Sequence, residues 1–340
     1  MKDTLTDANF PRTADLRVYH LGLRPGEVAN RIVTVGSPSR ARTVASHFDA
    51  APKLFELVSE RGFLTLTGRY KGIPVSVVSI GMGHPNVDFF VREVRECLSG
   101  DMLIVRLGSC GSLIDVPVGS VVVPKSSVAV ERNLDFAFVS PEECQEHPYR
   151  ISKPVLADPE LHSQLHLSLA AGKPQDWKAV IVPGSVNASA DSFYSSQGRQ
   201  TSFPDQNENL IEYLQESVKE LATLEMETFW LYHLAACWNG RKGTSSGAPA
   251  PPLATGPVQP TTSQPSTANA VSKVLAGHDT VIRAAAAHLV FASRTSQDFI
   301  TPNEVAVLEE WTAKGVLNAL VEMTIPADHV HGEEGSVWAL

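Results

Sequence analysis

The residues best suited to chemistry follow an apolar run near the middle of the chain. Residues 102–105, Met-Leu-Ile-Val, are typical of a buried strand, and Arg106, Ser109 and two glycines come directly after them. A guanidinium, a hydroxyl and glycines, whose backbone N–H groups can approach a ligand closely, are suited to binding an anion. The apolar run 32–35 ends in a similar way, in Gly36 and then Arg40. We therefore expect these two strand ends to hold one phosphate group from two sides.

A second cluster combines an aromatic ring with an amide and a guanidinium. Phe193 offers a face for stacking, and Gln197 and Arg199 follow two residues apart. The amide both donates and accepts hydrogen bonds, whereas the guanidinium only donates. Uracil presents a matching edge, with two carbonyl oxygens and an N–H between them. The alternative interpretation is an ordinary surface turn, because short motifs are weak signals.

A third cluster places two carboxylates, Glu225 and Glu227, on either side of Met226. In an extended segment this spacing directs both carboxylates to one face, where they could accept hydrogen bonds from the vicinal hydroxyls of a ribose. The alternative is that acidic residues favour the first turn of a helix, here predicted at 227–238. That helix is apolar nearly all round, so we expect it to be buried, and an unpaired carboxylate at its start would be costly.

Composition excludes several classes of protein. A chain of 340 residues with 43% hydrophobic residues can bury a large core, and a net charge of -9 argues against a nucleic-acid or anionic-membrane surface. The four cysteines show neither paired nor zinc-type spacing, and the first residues lack an apolar signal region. No run approaches the roughly 20 apolar residues of a membrane helix. We expect a cytoplasmic protein with reduced thiols, no metal, and a small anion as its partner.

The order of predicted elements is that of an α/β protein. Strands are predicted at 32–36, 63–69, 73–79, 102–108, 119–124 and 179–183, and helices at 85–99 and 302–323. Periodicity leaves 284–293 ambiguous between helix and strand. Residues 239–270 are rich in Gly, Pro, Ser and Thr, a composition that predicts a disordered insertion within a single domain.

In order and spacing, these clusters resemble the uridine phosphorylases of the nucleoside phosphorylase superfamily. Six segments carry the resemblance: Tyr-His-Leu-Gly-Leu at 19–23, Gly-Ser-Pro-Ser-Arg at 36–40, Arg-Leu-Gly-Ser at 106–109, Phe-Tyr-x-x-Gln-Gly-Arg at 193–199, Glu-Met-Glu at 225–227 and Ser-Arg-Thr at 293–295. The resemblance implies a three-layer α/β/α fold with a mixed central sheet over 19–323, and it favours a strand at 284–293. Residues 1–18 would be an N-terminal extension and 324–340 a C-terminal tail.

The resemblance also implies a role for each cluster. Phosphate would be bound by Gly36, Arg40, Arg106 and Ser109, together with Arg61 of a neighbouring subunit. The ribose would be held by Met226 and Glu227, with Glu225 nearby and His20 of the neighbouring subunit at the 5′-hydroxyl. The base would be bound by Phe193, Gln197, Arg199 and Arg294. Such shared sites require at least a homodimer, and a trimer of dimers is the family's other assembly.

The implied activity is the reversible phosphorolysis of uridine, in which phosphate attacks the sugar to give uracil and α-D-ribose 1-phosphate for pyrimidine salvage. Deoxyuridine and thymidine are further candidate substrates. Arg106, Glu227 and Arg199 would be the catalytic residues, inorganic phosphate the co-substrate, and no cofactor would be needed. Bacterial relatives bind potassium partly through a glutamate at the position of Gly62, so no metal site is expected here.

Other functions remain as alternatives. Purine-specific relatives carry an acidic residue in the segment that contains Arg294 here, so a purine phosphorylase is disfavoured. A nucleosidase would use water and would not need the arginines at 40, 61 and 106. A non-catalytic nucleoside sensor could use the same pocket. An NAD-dependent enzyme and a serine hydrolase fit less well. The G-x-G-x-x-G pattern is missing from the sequence, and the G-x-S-x-G match at 243–247 lies in the Gly-, Pro-, Ser- and Thr-rich segment, not at the end of a predicted strand.

Overall fold

A computed structural model describes residues 4–241 and 279–340. The predicted insertion at 239–270 therefore lies outside the described residues, apart from its first three positions, which end a helix. The strands are β1 (Leu5–Thr6), β2 (Arg12–Thr13), β3 (Arg31–Val35), β4 (Phe55–Val58), β5 (Leu64–Tyr70), β6 (Ile73–Ser79), β7 (Met102–Ser112), β8 (Val121–Arg132), β9 (Tyr149–Ile151), β10 (Val155–Leu156), β11 (Ile181–Ala190), β12 (Leu221–Glu225) and β13 (Ile282–Ser293). The helices are α1 (Pro38–Ala45), α2 (His84–Arg95), α3 (Pro159–Gly172), α4 (Leu210–Ser217), α5 (Thr228–Asn239) and α6 (Pro302–Glu322).

A mixed sheet of eleven strands forms the centre of the molecule, in the order β10-β8-β11-β12-β7-β3-β6-β5-β4. β13 pairs in parallel with β7 and antiparallel with β8, and β9 pairs with β8. Because β12 pairs with β7 and β11 joins β12 to β8, strands β7, β12, β11, β8 and β13 close into a small barrel. The ends of these strands therefore meet in one place.

Helices cover both faces of the sheet. α1, α3 and α6 pack over one apolar core, which includes Val105 and Leu289, and α2 and α5 pack over a second core, which includes Ile104 and Ala286. Neighbouring positions of one strand thus face opposite cores, as the alternation of strand side chains requires. The predicted three-layer α/β/α fold with a mixed central sheet is confirmed.

Local sequence accounts for where several helices begin. Ser37, Asp158 and Thr301 are the N-caps of α1, α3 and α6, and each is followed by a proline in the first turn. Their side-chain oxygens accept hydrogen bonds from the backbone N–H groups that the first turn leaves free. β3, which precedes α1, is therefore followed at once by a fixed turn, which presents Gly36 and Arg40 at the edge of the sheet.

Several predicted boundaries were wrong. The glycines after Arg106 do not form a turn, because β7 continues to Ser112 and pairs with β13 throughout. The strands predicted at 119–124 and 179–183 likewise extend to Arg132 and Ala190. The helix predicted at 85–99 ends at Arg95, before the left-handed Gly100. The ambiguous segment 284–293 is strand.

The described part of the N-terminal extension and the C-terminal tail both pack on the main body of the molecule. β1 and β2 form a separate two-stranded sheet, and Arg12 pairs with Glu96. In the C-terminal tail Trp338 is buried, and its carbonyl accepts a hydrogen bond from Arg69 at 2.9 Å. Across the described ranges, no helix has the length and apolar character that crossing a membrane requires.

Candidate active site

The three clusters predicted from the sequence come together at one cleft, at the ends of β3, β7 and β12. The predicted residues that line it are Gly36, Arg40, Arg106, Ser109, Phe193, Gln197, Arg199, Glu225, Met226 and Glu227. Apolar residues not predicted from the sequence complete the lining, among them Met82, Phe291 and Phe299. The strand ends meet because β3 and β7 are parallel neighbours and β12 joins the other edge of β7.

A buried ion pair lies at the centre of the cleft. Nη2 of Arg106 donates to Oε2 of Glu227 at 2.7 Å, and these residues are only 3% and 4% exposed. Burial raises the pKa of Glu227, an effect that the positive charge of Arg106 opposes. Nε and Nη1 of Arg106 are buried without a hydrogen-bond partner among the described residues. Because unsatisfied guanidinium donors are costly, this end of the cleft is suited to an anionic ligand.

The second oxygen of Glu227 is bound by a backbone group that the sequence analysis missed. The N–H of Gly83 donates to Oε1 of Glu227 at 2.6 Å. Gly83 is the N-cap of α2 and has a φ of 88°, a conformation that favours glycine. The positive end of the α2 dipole therefore faces the Glu227 carboxylate. The sequence signal is the Gly-Met-Gly segment at 81–83, which directly precedes the helix predicted at 85–99.

Glu225 has a different role from Glu227. Its carboxylate accepts hydrogen bonds from the backbone N–H groups of Glu227 and Thr228, at 2.9 and 3.0 Å for Oε2. The amide of Asn187 donates to it at 2.7 Å, and Ser189 also donates to it. Both carboxylates line the cleft, but they are held differently, because β12 ends at Glu225 and the chain then turns into α5. Glu225 fixes that turn, and Glu227 pairs with Arg106.

Arg40 lies on α1 and lines the cleft, and its guanidinium already makes a hydrogen bond on one side. Its Nε donates to Oε1 of Glu309 on α6 at 2.7 Å, and its guanidinium lies 5.4 Å from the ring centre of Phe291. Burial lowers the pKa of Arg40, and Glu309 opposes that effect. Ser109, in contrast, is exposed on β7 and lines the cleft with its hydroxyl unbound by the described protein atoms. The anion end thus combines two paired arginines with a hydroxyl group.

The opposite end of the cleft contains the aromatic ring, the amide and the second guanidinium. The guanidinium of Arg199 lies 3.9 Å from the ring centre of Phe193, whose backbone carbonyl accepts a hydrogen bond from Nη1 at 2.8 Å. Nη1 also donates to Oε1 of Gln197. Phe193 is 46% exposed, and Gln197 is buried. A flat ring entering here would meet an aromatic face, an amide and a guanidinium, which are the groups that the sequence analysis assigned to a base.

Arg294 supports this end from outside the cleft. Its Nη1 and Nη2 donate to the backbone carbonyls of Gln197 and Gly198, at 2.9 and 3.2 Å. Gly198 has a left-handed φ of 62°, and Asn207 donates to the carbonyls on either side of it, those of Ser195 and Arg199. In this arrangement Arg294 fixes the loop that presents Gln197, while its predicted contact with a base stays a prediction.

His20 and Arg61 lie in a separate cluster and do not line the cleft of their own chain. His20 stacks on Phe89 with ring centres 3.8 Å apart, and its Nδ1 is 2.6 Å from Oε1 of Glu93. Arg61 donates to the hydroxyl of Tyr19 and lies over that ring. Both residues thus contact Tyr19, and their predicted role in a neighbouring subunit's site stays a prediction.

A larger cleft of 620 Å³ lies between α2 and α5 and is lined by residues such as Trp230, Trp238 and Arg95. None of the residues predicted from the sequence to bind phosphate, ribose or base lines it. The chemistry predicted from the sequence therefore maps to the smaller and more polar cleft at the strand ends.

Comparison with known proteins agrees with this geometry. Residues 30–241 match the family model of the phosphorylase superfamily. The chain is similar to a uridine phosphorylase of Thermococcus kodakarensis, at 29% identity over 72% of this chain and 80% of that protein. It is also similar to a DeoD-type purine nucleoside phosphorylase of Oceanobacillus iheyensis, at 31% identity over 66% of this chain and 83% of that protein.

Solved structures give the same result. One, from a structural and catalytic study of two uridine phosphorylases of the oomycete Phytophthora capsici, is 36% identical, covers 95% of this chain and all of its own, and has a TM-score of 0.78. A Trypanosoma brucei nucleoside phosphorylase shares the fold, with a TM-score of 0.65 at 19% identity over 92% of this chain and 100% of that one. The family match over more than half of the chain, together with this shared fold, shows that the chain belongs to the phosphorylase superfamily.

Proposed function

We propose that this chain is a uridine phosphorylase, which converts uridine and inorganic phosphate reversibly to uracil and α-D-ribose 1-phosphate in cytoplasmic pyrimidine salvage. The observation that carries the proposal is the arrangement of the cleft about the Arg106–Glu227 pair. On one side of the pair, two guanidinium donors of Arg106 have no hydrogen-bond partner in the part of the chain that the structure describes, and Ser109 is exposed. On the other side, Gln197 and Arg199 lie beside an aromatic face.

The mechanism follows from this separation of charges. A phosphate oxygen bound by Arg106 attacks C1′ of the nucleoside while the bond from C1′ to N1 of uracil breaks. Negative charge passes to the uracil carbonyl oxygens, where Gln197 and Arg199 donate hydrogen bonds, and solvent later supplies a proton to the released base. Donors placed in advance where charge develops are the largest catalytic contribution in many enzymes. Uracil leaves as an anion, so the step needs no side-chain nucleophile and no dedicated general acid.

Glu227 is suited to hold the ribose. Its carboxylate is fixed by Arg106 and by the N–H of Gly83, and ionised carboxylates can also accept hydrogen bonds from vicinal hydroxyls. A hydroxyl bound here would place C1′ between the phosphate end and the base end. Met226 lines the same part of the cleft and would pack on the sugar.

A pyrimidine substrate fits the charges better than a purine does. In the described part of the cleft, the acidic lining residues are Glu225 and Glu227, and both are bound at the phosphate and ribose end. A purine ring would need a proton donor at the base end, where this chain has the guanidinium of Arg199 and the nearby Arg294. The similarity to purine nucleoside phosphorylases makes inosine the necessary comparison substrate.

The proposal includes a homodimer at least, in which each site receives Arg61 and His20 from the other subunit. What supports it is the position of these residues in their own chain, outside the cleft and both in contact with Tyr19. The proposal also takes phosphate as co-substrate and requires no cofactor.

The test is to incubate the purified protein with uridine or inosine, with and without phosphate, and to separate the products by chromatography. We expect uracil and ribose 1-phosphate in equal amounts, only with uridine and only with phosphate. Uracil formed without phosphate would indicate a nucleosidase, and faster cleavage of inosine would indicate a purine phosphorylase. Uridine binding without turnover under any of these conditions would indicate a sensor.

A further inference from the structure

A buried histidine lies beneath the candidate site and is unused by the proposed mechanism. His288 is on β13, opposite Gly108 of β7 and Val122 of β8, and its side chain is 0% exposed. Burial lowers its pKa to about 3, and the positive charge of Arg106 acts in the same direction. The imidazole is therefore neutral at physiological pH.

His288 joins two hydroxyl groups that belong to different elements. Its Nδ1 is 3.1 Å from Oγ1 of Thr223 on β12, and its Nε2 is 2.8 Å from Oγ1 of Thr228 at the start of α5. A neutral imidazole donates at one nitrogen and accepts at the other, so it links the two hydroxyls in a single direction. The Glu225–Glu227 turn lies between these two threonines in the chain. β12 leads into this turn, and α5 begins directly after it.

The same hydroxyl groups are connected to Glu225. Oγ1 of Thr228 is 3.0 Å from Oε2 of Glu225, and Oγ1 of Thr223 donates to Oδ1 of Asn187 at 2.9 Å. The amide nitrogen of Asn187 donates to Oε1 of Glu225 at 2.7 Å. Because Oγ1 of Thr223 donates to Asn187, Nδ1 of the neutral imidazole donates to Thr223, and Nε2 accepts from Oγ1 of Thr228. The backbone N–H of Thr228 in turn donates to Oε2 of Glu225 at 3.0 Å, so both threonines connect His288 to the carboxylate that fixes the turn.

We propose that His288 is a positioning residue, which is anchored by Thr223 and acts through Thr228 to hold the Glu225–Glu227 turn so that Glu227 faces Arg106 and the ribose. His288 does not line the cleft, and in the proposed mechanism it does not touch the substrate. Its effect passes through Glu225, whose Oε2 accepts the N–H of Glu227 at 2.9 Å. Because small errors in the position of a binding group lower the rate of a reaction steeply, loosening this turn should affect turnover.

The two ends of the imidazole can be tested separately. His288→Asn places an amide near the position of Nδ1, within reach of Thr223, whereas His288→Gln places one near the position of Nε2, within reach of Thr228. We expect kcat for uridine phosphorolysis to fall about tenfold or more in His288→Asn and to stay within about threefold of the parent in His288→Gln. Thr228→Val, which keeps the shape of the side chain and removes its hydroxyl, should match His288→Asn.

A matched control separates positioning from general stability. Leu289→Ala removes an equally buried side chain from the next position of β13, on the face that packs under α1, α3 and α6. It should lower the melting temperature and leave kcat at 25 °C unchanged. Thr228→Val combined with His288→Asn should cost little more activity than either change alone, because both break one path.

The positioning role of His288 rests on the proposed function, which is tested first in the parent enzyme. If the parent shows no phosphate-dependent cleavage of uridine, it is the proposed function that has failed. With an active parent, equal kcat in His288→Asn and His288→Gln would overturn the positioning role. So would additive losses in the double variant, or losses that follow the melting temperature across all variants including Leu289→Ala. If His288→Asn does not fold, the kcat of Thr228→Val is compared with those of the parent and of Leu289→Ala, and this comparison decides the question in its place.

Discussion

Replacing Arg106 by methionine tests both the ion pair and the phosphate assignment. Arg106→Met keeps most of the side-chain volume and leaves Glu227, which is 4% exposed, without its cation. Removing one partner of a buried pair typically costs about 3–5 kcal/mol of stability, because a buried charge is left uncompensated. The N–H of Gly83 remains as a donor to Glu227, so we expect a loss near the lower end of that range.

A second variant shows whether that loss comes from the stranded carboxylate. Arg106→Met combined with Glu227→Leu removes both charges, and replacing a whole buried pair by apolar groups is often neutral or stabilising, by about 1–4 kcal/mol. We therefore expect the double variant to recover most of the stability that the single variant loses. Both variants should lose phosphorolysis by at least about 10²-fold, because the cation that we propose binds the reacting phosphate is missing.

The measurement is urea denaturation at one fixed protein concentration, with and without inorganic phosphate. Phosphate at about 100 times its Kd should stabilise the parent by about 2.7 kcal/mol and should stabilise neither variant. A double variant less stable than Arg106→Met would refute the argument from the stranded charge. Equal stabilisation of parent and variants by phosphate would move the anion site away from Arg106.

Three further results are expected. Arg199→Met should lower kcat/KM for uridine by about 10²-fold or more without raising that for inosine, because donors to the leaving base are lost; the exposed Arg150→Ala is the control, and a gain in inosine cleavage would contradict the pyrimidine assignment. When the inactive Arg61→Ala and Arg106→Ala proteins are mixed and reassembled, random pairing into dimers should restore roughly a quarter of the activity of the unmodified protein. If mass measurements show mixed dimers and these are as inactive as the two variants alone, Arg61 belongs to the site of its own chain. His288→Gln should make the free energy of unfolding depend less on pH. The pKa of His288 is lowered to about 3 in the folded protein, so the neutral imidazole stabilises the folded protein above its ordinary pKa of 6.5. This stabilisation is lost as the pH falls towards 3. In urea denaturation at pH 7, 6 and 5, the parent should therefore lose up to roughly 1.4 kcal/mol more per pH unit than the variant below pH 6.5, and identical slopes would show that His288 does not titrate this way.

That Gly36, Arg40, Arg106 and Ser109 lie in one cleft could be predicted from the sequence, because their positions depend on local pattern. Arg106 and Gly36 directly follow apolar runs, and parallel strands that are neighbours place such residues at the same edge. The predicted turn at the glycines after Arg106 was nevertheless wrong, since pairing with β13 extends β7 through them. Glycine has no preference that would reveal such a partner, which lies about 180 residues further along the chain.

Contacts between distant segments of the chain could not be predicted from the sequence. The pairing of Arg40 with Glu309 joins residues 269 apart, and nothing near either residue indicates the other. The separate roles of Glu225 and Glu227 depend on where β12 ends, because the alternation of faces stops at that point. His288 left one readable signal, a histidine inside the apolar run 284–292, and a polar side chain in a buried strand needs hydrogen-bond partners.

The charges of the cleft give a physical reason for a contribution from a second subunit. The lining arginines at 40, 106 and 199 are matched by Glu225, Glu227 and the Glu309 that binds Arg40, so the charges of one chain cancel before phosphate arrives. A phosphate dianion entering a water-poor site of no net charge would be poorly compensated. Arg61 is a cation without a carboxylate within ion-pair distance among the described residues, and it lies on the surface and contacts Tyr19, as His20 does. We infer that the missing positive charge comes from Arg61 of another subunit, so phosphate affinity should depend on assembly, and dilution to monomers should weaken phosphate binding before it unfolds the chain.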